Sequence, residues 1–389
     1  MRTSAHMRGV MDALKPFLDF ALSDEIADVG DDPNACDFLF GNPHEVASRA
    51  YVDAVLSGVE PTGPHHFAYT MNDRNAQTVI ADGLRTRFGL GFAPDDIMMT
   101  NGNFTGMASV LRAICDPGDE VIFVSPPWFF YETLIVATGA TPVRVLADRA
   151  TFDLDLAAIE AAIGRRTRVI IVNSPNNPSG RIYPREQLDA LAGVLTAAGE
   201  RHGEPIHLLS DEAYSRILFD DHAFPTPLGS YPHSSLLYTY GKTHLAPGNR
   251  VGYVALHPDL PGKRDLTRVL RTAIITGGWG FPVATLQHAI PGLEAIGPDI
   301  ARLQRRRDLL VSSLGEQGYE LIEPEGTFYI LVRSPDPDDE AFCARLREHG
   351  VFVLPGATFE MPGWFRISIT ASDEMAERSI PGFAKAIGA

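Results

Sequence analysis

Six short runs rich in β-branched and apolar residues limit the folds open to this chain. They are EVIFVSP at 120–126, TPVRVL at 141–146, RVIIVNSP at 168–175, IHLLSDEAY at 206–214, LLYTYGK at 236–242 and VGYVAL at 251–256. Several are apolar on both faces, as a strand covered by helices on each side must be. Helical patterns lie between them, at 153–163 and at 184–200, where Pro184 stands near the first turn. Such alternation predicts a mostly parallel α/β sheet. After about residue 290 the rhythm changes. A long helix is expected over 298–317, running through Arg305, Arg306 and Arg307, then strands at 328–332, 351–355 and 364–370 with a helix at 338–349. This second part reads as a smaller α+β domain.

The expected division is 45–289 for the large domain, with 290–389 and the short segment 1–44 forming the small one. SPDPDD at 334–339 is read as a turn leading into an acidic helix start. With 389 residues, 45% of them hydrophobic and 21% charged, the chain can bury a substantial core. Its net charge of −16 argues against nucleic acid or an anionic membrane as partner. Cys36, Cys115 and Cys343 are far apart and odd in number, so neither a metal site nor a disulfide framework is expected. A reducing cytoplasm suits that pattern. The sequence shows no signal-peptide pattern and no apolar run long enough to span a membrane.

Several of the expected strands end in polar or glycine-rich signatures, and ligands of open α/β sheets bind at the carboxyl ends of strands. TNGNFTGM at 100–107 follows a short strand at 97–100 and opens a helix, which suits an anion; small residues there also serve plain steric needs. SPPWFFYE puts Trp128 just past a strand end, where it either stacks on a flat ligand or fills a rim. NSPNNPSG follows the strand at 168–172 and delivers the amide of Asn177. SDEAY sets Asp211 at the end of a buried run, as a partnered carboxylate or a helix cap, with Tyr214 three residues on. Among 33 cationic residues only Lys15, Lys242, Lys263 and Lys385 are lysines. Lys242 stands in TYGKTHLAPGNRVGY, as a surface charge or as an amine doing what a permanently charged guanidinium cannot.

In this order, NSPNNPSG, SDEAY and the segment holding Lys242, Arg250, Gly252 and Tyr253 resemble the fold-type I pyridoxal-phosphate enzymes, specifically class I/II aminotransferases, over about residues 38–370. The resemblance implies a large domain with a mostly parallel seven-stranded sheet plus a smaller α+β domain. It also implies pyridoxal 5′-phosphate as cofactor, and Lys242 as the residue that forms a Schiff base with its aldehyde and then moves the substrate proton. By the same resemblance Asp211 pairs with the ring nitrogen, Asn177 and Tyr214 hold the ring's 3-oxygen, and Trp128 stacks on the ring. Arg250, Thr239 and the backbone at Asn103 and Phe104 hold the phosphate, and Arg366 clamps the substrate carboxylate. Gly41 resembles the family's substrate-side glycine. Tyr69 resembles a phosphate ligand reaching across a homodimer whose active sites lie at the subunit interface.

One departure stands out. Where the family commonly writes Ser-x-Ser before the lysine, this chain has Thr239, Tyr240 and Gly241, so one phosphate hydroxyl is missing. His65, His66, Trp279 and Phe359 are expected to shape the substrate pocket. The implied reaction moves an amino group from an α-amino acid to a 2-oxo acid. The alternative keeps the cofactor but eliminates, decarboxylates or joins carbon, in secondary metabolism as readily as in amino-acid supply. A non-catalytic DNA-binding regulator is disfavoured, because the roughly 40 residues before Gly41 are not basic.

Overall fold

A computed structural model describes residues 2–23, 26, 29 and 32–388. In chain order the strands are β1 (Cys36–Asp37), β2 (Ile97–Thr100), β3 (Glu120–Ser125), β4 (Thr141–Leu146), β5 (Thr167–Asn173), β6 (His207–Asp211) and β7 (Ser234–Thr239). They continue as β8 (Gly252–Leu256), β9 (Leu321–Ile322), β10 (Tyr329–Arg333), β11 (Val351–Phe352), β12 (Leu354–Pro355) and β13 (Trp364–Ser368).

Seven of them build one sheet in the order β2-β8-β7-β6-β5-β3-β4. Its central strands are buried along their whole length but for Arg168, and the apolar runs of the sequence are that burial. Helix Arg185–His202 shows how the covering layer forms. Leu188, Leu191, Ala192, Leu195 and Ala198 recur at helical spacing and are buried, and Gly203 ends the helix in the left-handed conformation that costs glycine little.

Only β8 runs against its neighbours β2 and β7. That reversal brings the start of β8 to the edge where β2, β5, β6 and β7 finish. Register completes the alignment: Asn173 pairs with Asp211, Asp211 with Leu237, and Gly252 with both Thr239 and Thr100. One edge of the sheet thus collects the polar strand ends that lie scattered in the sequence.

The remainder is a four-stranded antiparallel sheet, β12-β13-β10-β9, covered by helices Ile300–Glu316, Asp339–Glu348 and Asp373–Ile387. The arginine cluster of the first of these is structural. Buried Arg306 donates to Asp373 and to the Ile369 carbonyl, and buried Arg307 forks onto Asp220. The N-terminal segment divides its contacts. Strand β1 pairs with β11, as a segment joined to the C-terminal part should. Helix Ala5–Ala21 instead packs on helix Tyr131–Ala137 beside the large sheet, with Phe17 stacked on Phe129 at 4.4 Å.

Candidate active site

A cavity of about 610 Å³, counted to its open mouth, lies at the collected strand ends. Asn103, Phe104, Trp128, Asn177, Asp211, Tyr214, Thr239, Lys242 and Arg250 all line it. Nine residues predicted from separate stretches of sequence therefore meet in one place.

Asp211 is 4% exposed at the end of β6. Asn103 Nδ2 donates to its Oδ1 at 2.8 Å, Tyr131 Oη to its Oδ2 at 2.8 Å, and the Ala213 N–H to Oδ1 at 3.3 Å. Asn173 Nδ2 donates to its backbone carbonyl at 2.9 Å. Burial pushes the Asp211 carboxyl above its ordinary value, while these donors and the charge of Lys242 pull it down. No helix starts at Asp211, so its carboxylate is a partnered group inside the crevice.

Lys242 sits in the single turn Tyr240–Thr243 directly after β7. Its Nζ lies 5.5 Å from the ring centre of Phe328 and 5.9 Å from that of Tyr214. Tyr240 is braced from behind: its hydroxyl donates to Glu294 Oε1 at 2.9 Å, and Arg216 Nη1 donates to the other carboxylate oxygen at 3.0 Å. The missing hydroxyl at Gly241 has a steric context. A Cβ there would stand 3.1 Å from the Pro247 Cα, closer than the loop readily allows. Thr239 Oγ1 donates to the Val251 carbonyl at 3.3 Å.

Gly102 has φ of 81° and opens helix Asn103–Ile114 without a side-chain cap. That φ favours glycine, and a Cβ at Gly102 would lie 2.8 Å from Arg250 Nη2, whose guanidinium crosses the helix start. Free N–H groups, the helix dipole and a guanidinium there make an anion cradle.

Arg366, on β13, is 2% exposed. It donates to Asn177 Oδ1 at 2.8 Å and to the Leu39 carbonyl at 3.1 Å, and its guanidinium carbon lies 3.8 Å above the Tyr329 ring. Burial lowers the pKa of Arg366. Burial also raises Tyr214, whereas the charges of Lys242 and Arg366 outweigh burial at Tyr329 and hold its hydroxyl below its ordinary value. Gly41 leaves room for this group, since a Cβ would meet Phe328 at 2.7 Å and the Tyr329 hydroxyl at 2.8 Å.

Two buried polar atoms here, Asn103 Oδ1 in the cavity wall and Arg366 Nε beside Asn177, have no hydrogen-bond partner among the described residues. Such orphans are costly unless a ligand completes them. A carboxylate, an aromatic slab, an amine and an anion cradle around one cavity fit pyridoxal 5′-phosphate, and the orphaned guanidinium nitrogen fits a carboxylate-bearing substrate.

Some expectations fail or fall elsewhere. His65, His66, Trp279 and Phe359 do not line the cavity. His66 is stacked on His288, and Phe359 is buried with Leu331, Leu354 and Trp364. Asn103 offers its side chain to Asp211 besides its place at the helix start, and Phe104 contributes its ring to the wall. Tyr69 is 90% exposed and lies outside the cavity of its own chain. Residues overlooked in the sequence are Tyr131, Asn173, Phe328 and Tyr329. Tyr131 had a signal, standing one helical turn after Trp128; Phe328 and Tyr329 come from a distant strand and had none.

The fold and these residues define a fold-type I pyridoxal-phosphate enzyme. The profile of the family "Aminotransferase class I and II" matches residues 63–381. The chain is 36% identical to an aspartate/prephenate aminotransferase of Cereibacter sphaeroides, over 74% of this chain and 75% of that one. It is 31% identical to an arginine–pyruvate transaminase of Pseudomonas aeruginosa, over 82% and 80%. The crystal structure of an aminotransferase from Eubacterium rectale superposes with a TM-score of 0.87 at 30% identity, covering 100% of this chain and 96% of that chain. The chain belongs to the class I and II aminotransferases, which use pyridoxal phosphate.

Proposed function

We propose that this enzyme transfers an amino group reversibly between an α-amino acid and a 2-oxo acid, with Lys242 as the proton-carrying base. What supports the reading is the meeting of the Lys242 amine and the Asp211 carboxylate in one cavity, with the half-satisfied Arg366 guanidinium behind its wall, bonded to the lining residue Asn177. Pyridoxal phosphate, when bound, supplies an aldehyde that captures the amine and a ring that accepts the electrons released at the substrate α-carbon. Arg366 grips the substrate carboxylate in a two-pronged bond, and Asn177 and the Leu39 carbonyl fix its plane. Lys242 takes the proton from the α-carbon and returns it in the reverse direction. Asp211 keeps the ring nitrogen protonated, Asn177 and Tyr214 hold the ring oxygen, and Trp128 covers the ring. The Gly102 cradle with Arg250 and Thr239 holds the phosphate, and Gly41 leaves space on the substrate side.

The boundaries 45–289 and 290–389 place the cofactor machinery in the large unit and the carboxylate clamp in the small one. Residues 1–44 are shared between them, through β1 and helix Ala5–Ala21. A homodimer is supported by exposed Val52, Leu56 and Val59 on one helix, with Phe67, Tyr69 and Phe281 beside them. Tyr69 then reaches the partner's phosphate. Three buried, unpaired cysteines suit a cytoplasmic setting.

The test incubates the yellow holoprotein with single amino acids. Accumulating pyridoxamine phosphate is the expected product, and ammonia or a cleaved side chain in its place would sink the transfer reading. Lys242→Ala should cut turnover by at least about 10²–10⁴-fold, the usual range for a proton-transfer group.

A further inference from the structure

We infer that the site selects amino acids with an aromatic or large aliphatic side chain over dicarboxylic ones, through an aromatic belt that begins at Phe104. The inference rests on the amino-transfer reading, which fixes where the carboxylate and the α-carbon go.

The belt is continuous. Phe104 meets Trp128 edge-on at 4.8 Å and Phe130 at 4.7 Å between ring centres. Phe130 meets Phe129 at 4.8 Å, Phe129 stacks on Phe17 at 4.4 Å, and Phe17 approaches Phe40 at 6.0 Å. Phe40 follows Leu39, whose carbonyl accepts from Arg366. Of these rings Phe104 and Trp128 line the cavity, and Phe130, Phe129 and Phe17 buttress them from behind and run toward Leu39, so a substrate with its α-carbon near Lys242 has the Phe104 face of the belt beside it. Phe104 is 36% exposed, an unusual state for a phenylalanine in a crevice unless an apolar group is to cover it.

The charges agree. Among the described residues lining the cavity, the cationic ones are Lys242 and Arg250. Lys242 is committed to the proton and Arg250 crosses the helix start at Gly102. Neither of these two cations of the chain is free for a second carboxylate. Arg144, on β4 beside β3, is already paired with Glu132 and Glu360. A second carboxylate set against aromatic edges would be desolvated without a partner, whereas a phenyl or isobutyl group would gain apolar contact and edge-to-face packing.

The test uses holoprotein and carboxylates that bind but cannot react. 3-Phenylpropionate should bind at least about 100-fold more tightly than succinate, the scale on which a site distinguishes a fitted group from one left unpaired. Succinate binding as well or better overturns the inference. Phe104→Ala should weaken 3-phenylpropionate about 10-fold more than it weakens propionate, with Phe104→Leu restoring most of the loss. Phe17→Ala, farther from the cofactor, should show the same selective weakening; equal effects on both ligands in both variants count against the belt. In parallel, phenylalanine should convert the loaded enzyme faster than aspartate. If no amino acid is converted, the amino-transfer reading fails while the binding series still decides the preference.

Discussion

At the scale of single residues, the site depends on how Asp211 keeps its charge inside the protein. Burial favours its protonated form, and the donors Tyr131, Asn103 and Ala213 favour the charged one. Tyr131→Phe removes one donor to the charged form, so the carboxyl pKa should rise further. We therefore expect the acid limb of the pH–rate profile to move to higher pH in this variant, together with weaker cofactor retention measured by equilibrium dialysis. An unmoved limb would mean that Tyr131 only fills space. The sequence singled out Asp211, because a carboxylate ending an apolar run is conspicuous. It could not show which hydroxyl comes to meet it, since Tyr131 lies on a helix two strands away in the sheet. Gly241 is similar: the missing hydroxyl is visible in the sequence, while the Pro247 backbone beside it is not.

Elements explain why remote residues converge. The expected strands recur within a few residues of their observed bounds because two-sided burial leaves an unmistakable apolar run. Direction was less legible, since an apolar strand reads alike whichever way it runs. Only hydrogen-bond pairing makes β8 antiparallel, and that pairing delivers Arg250 to the ligand edge. The sheet also carries a pH liability. His207 starts β6, hydrogen-bonded to Ser235 Oγ at 2.8 Å, and burial lowers its pKa from 6.5 to about 3. Below pH 6.5 the unfolded chain takes up a proton that the folded one refuses, so this residue's contribution to stability is lost as pH falls. Glu212, raised to about 7 by burial, acts in the opposite sense over the overlapping range below pH 7. Comparison with a variant isolates the histidine. Between pH 7 and 5, chemical denaturation should cost the parent about 2 kcal/mol more stability than His207→Gln, at about 1.4 kcal/mol per pH unit below the ordinary histidine value.

At the scale of the whole molecule, the exposed apolar face on helix Arg49–Val59 and the loop around Tyr69 gives the dimer reading a direct check. Leu56 is 55% exposed, and Leu56→Lys should shift sedimentation toward monomer and release cofactor if the partner's Tyr69 helps hold it. A monomer that retains its cofactor fully would argue against the shared site. By itself the sequence determined the α/β class and the strand ends that gather at the cavity, and through its resemblance to the aminotransferases it pointed to Lys242, Asp211 and Arg366. The class and the strand ends follow from local burial patterns and motif order, which are properties of short stretches of chain. Only the tertiary structure decided the partners: Tyr131 on Asp211, Tyr329 beneath Arg366, and Phe17 of the N-terminal helix stacked on Phe129. Such contacts join segments up to hundreds of residues apart, and strand register and helix packing, which no local pattern encodes, set which side chains meet.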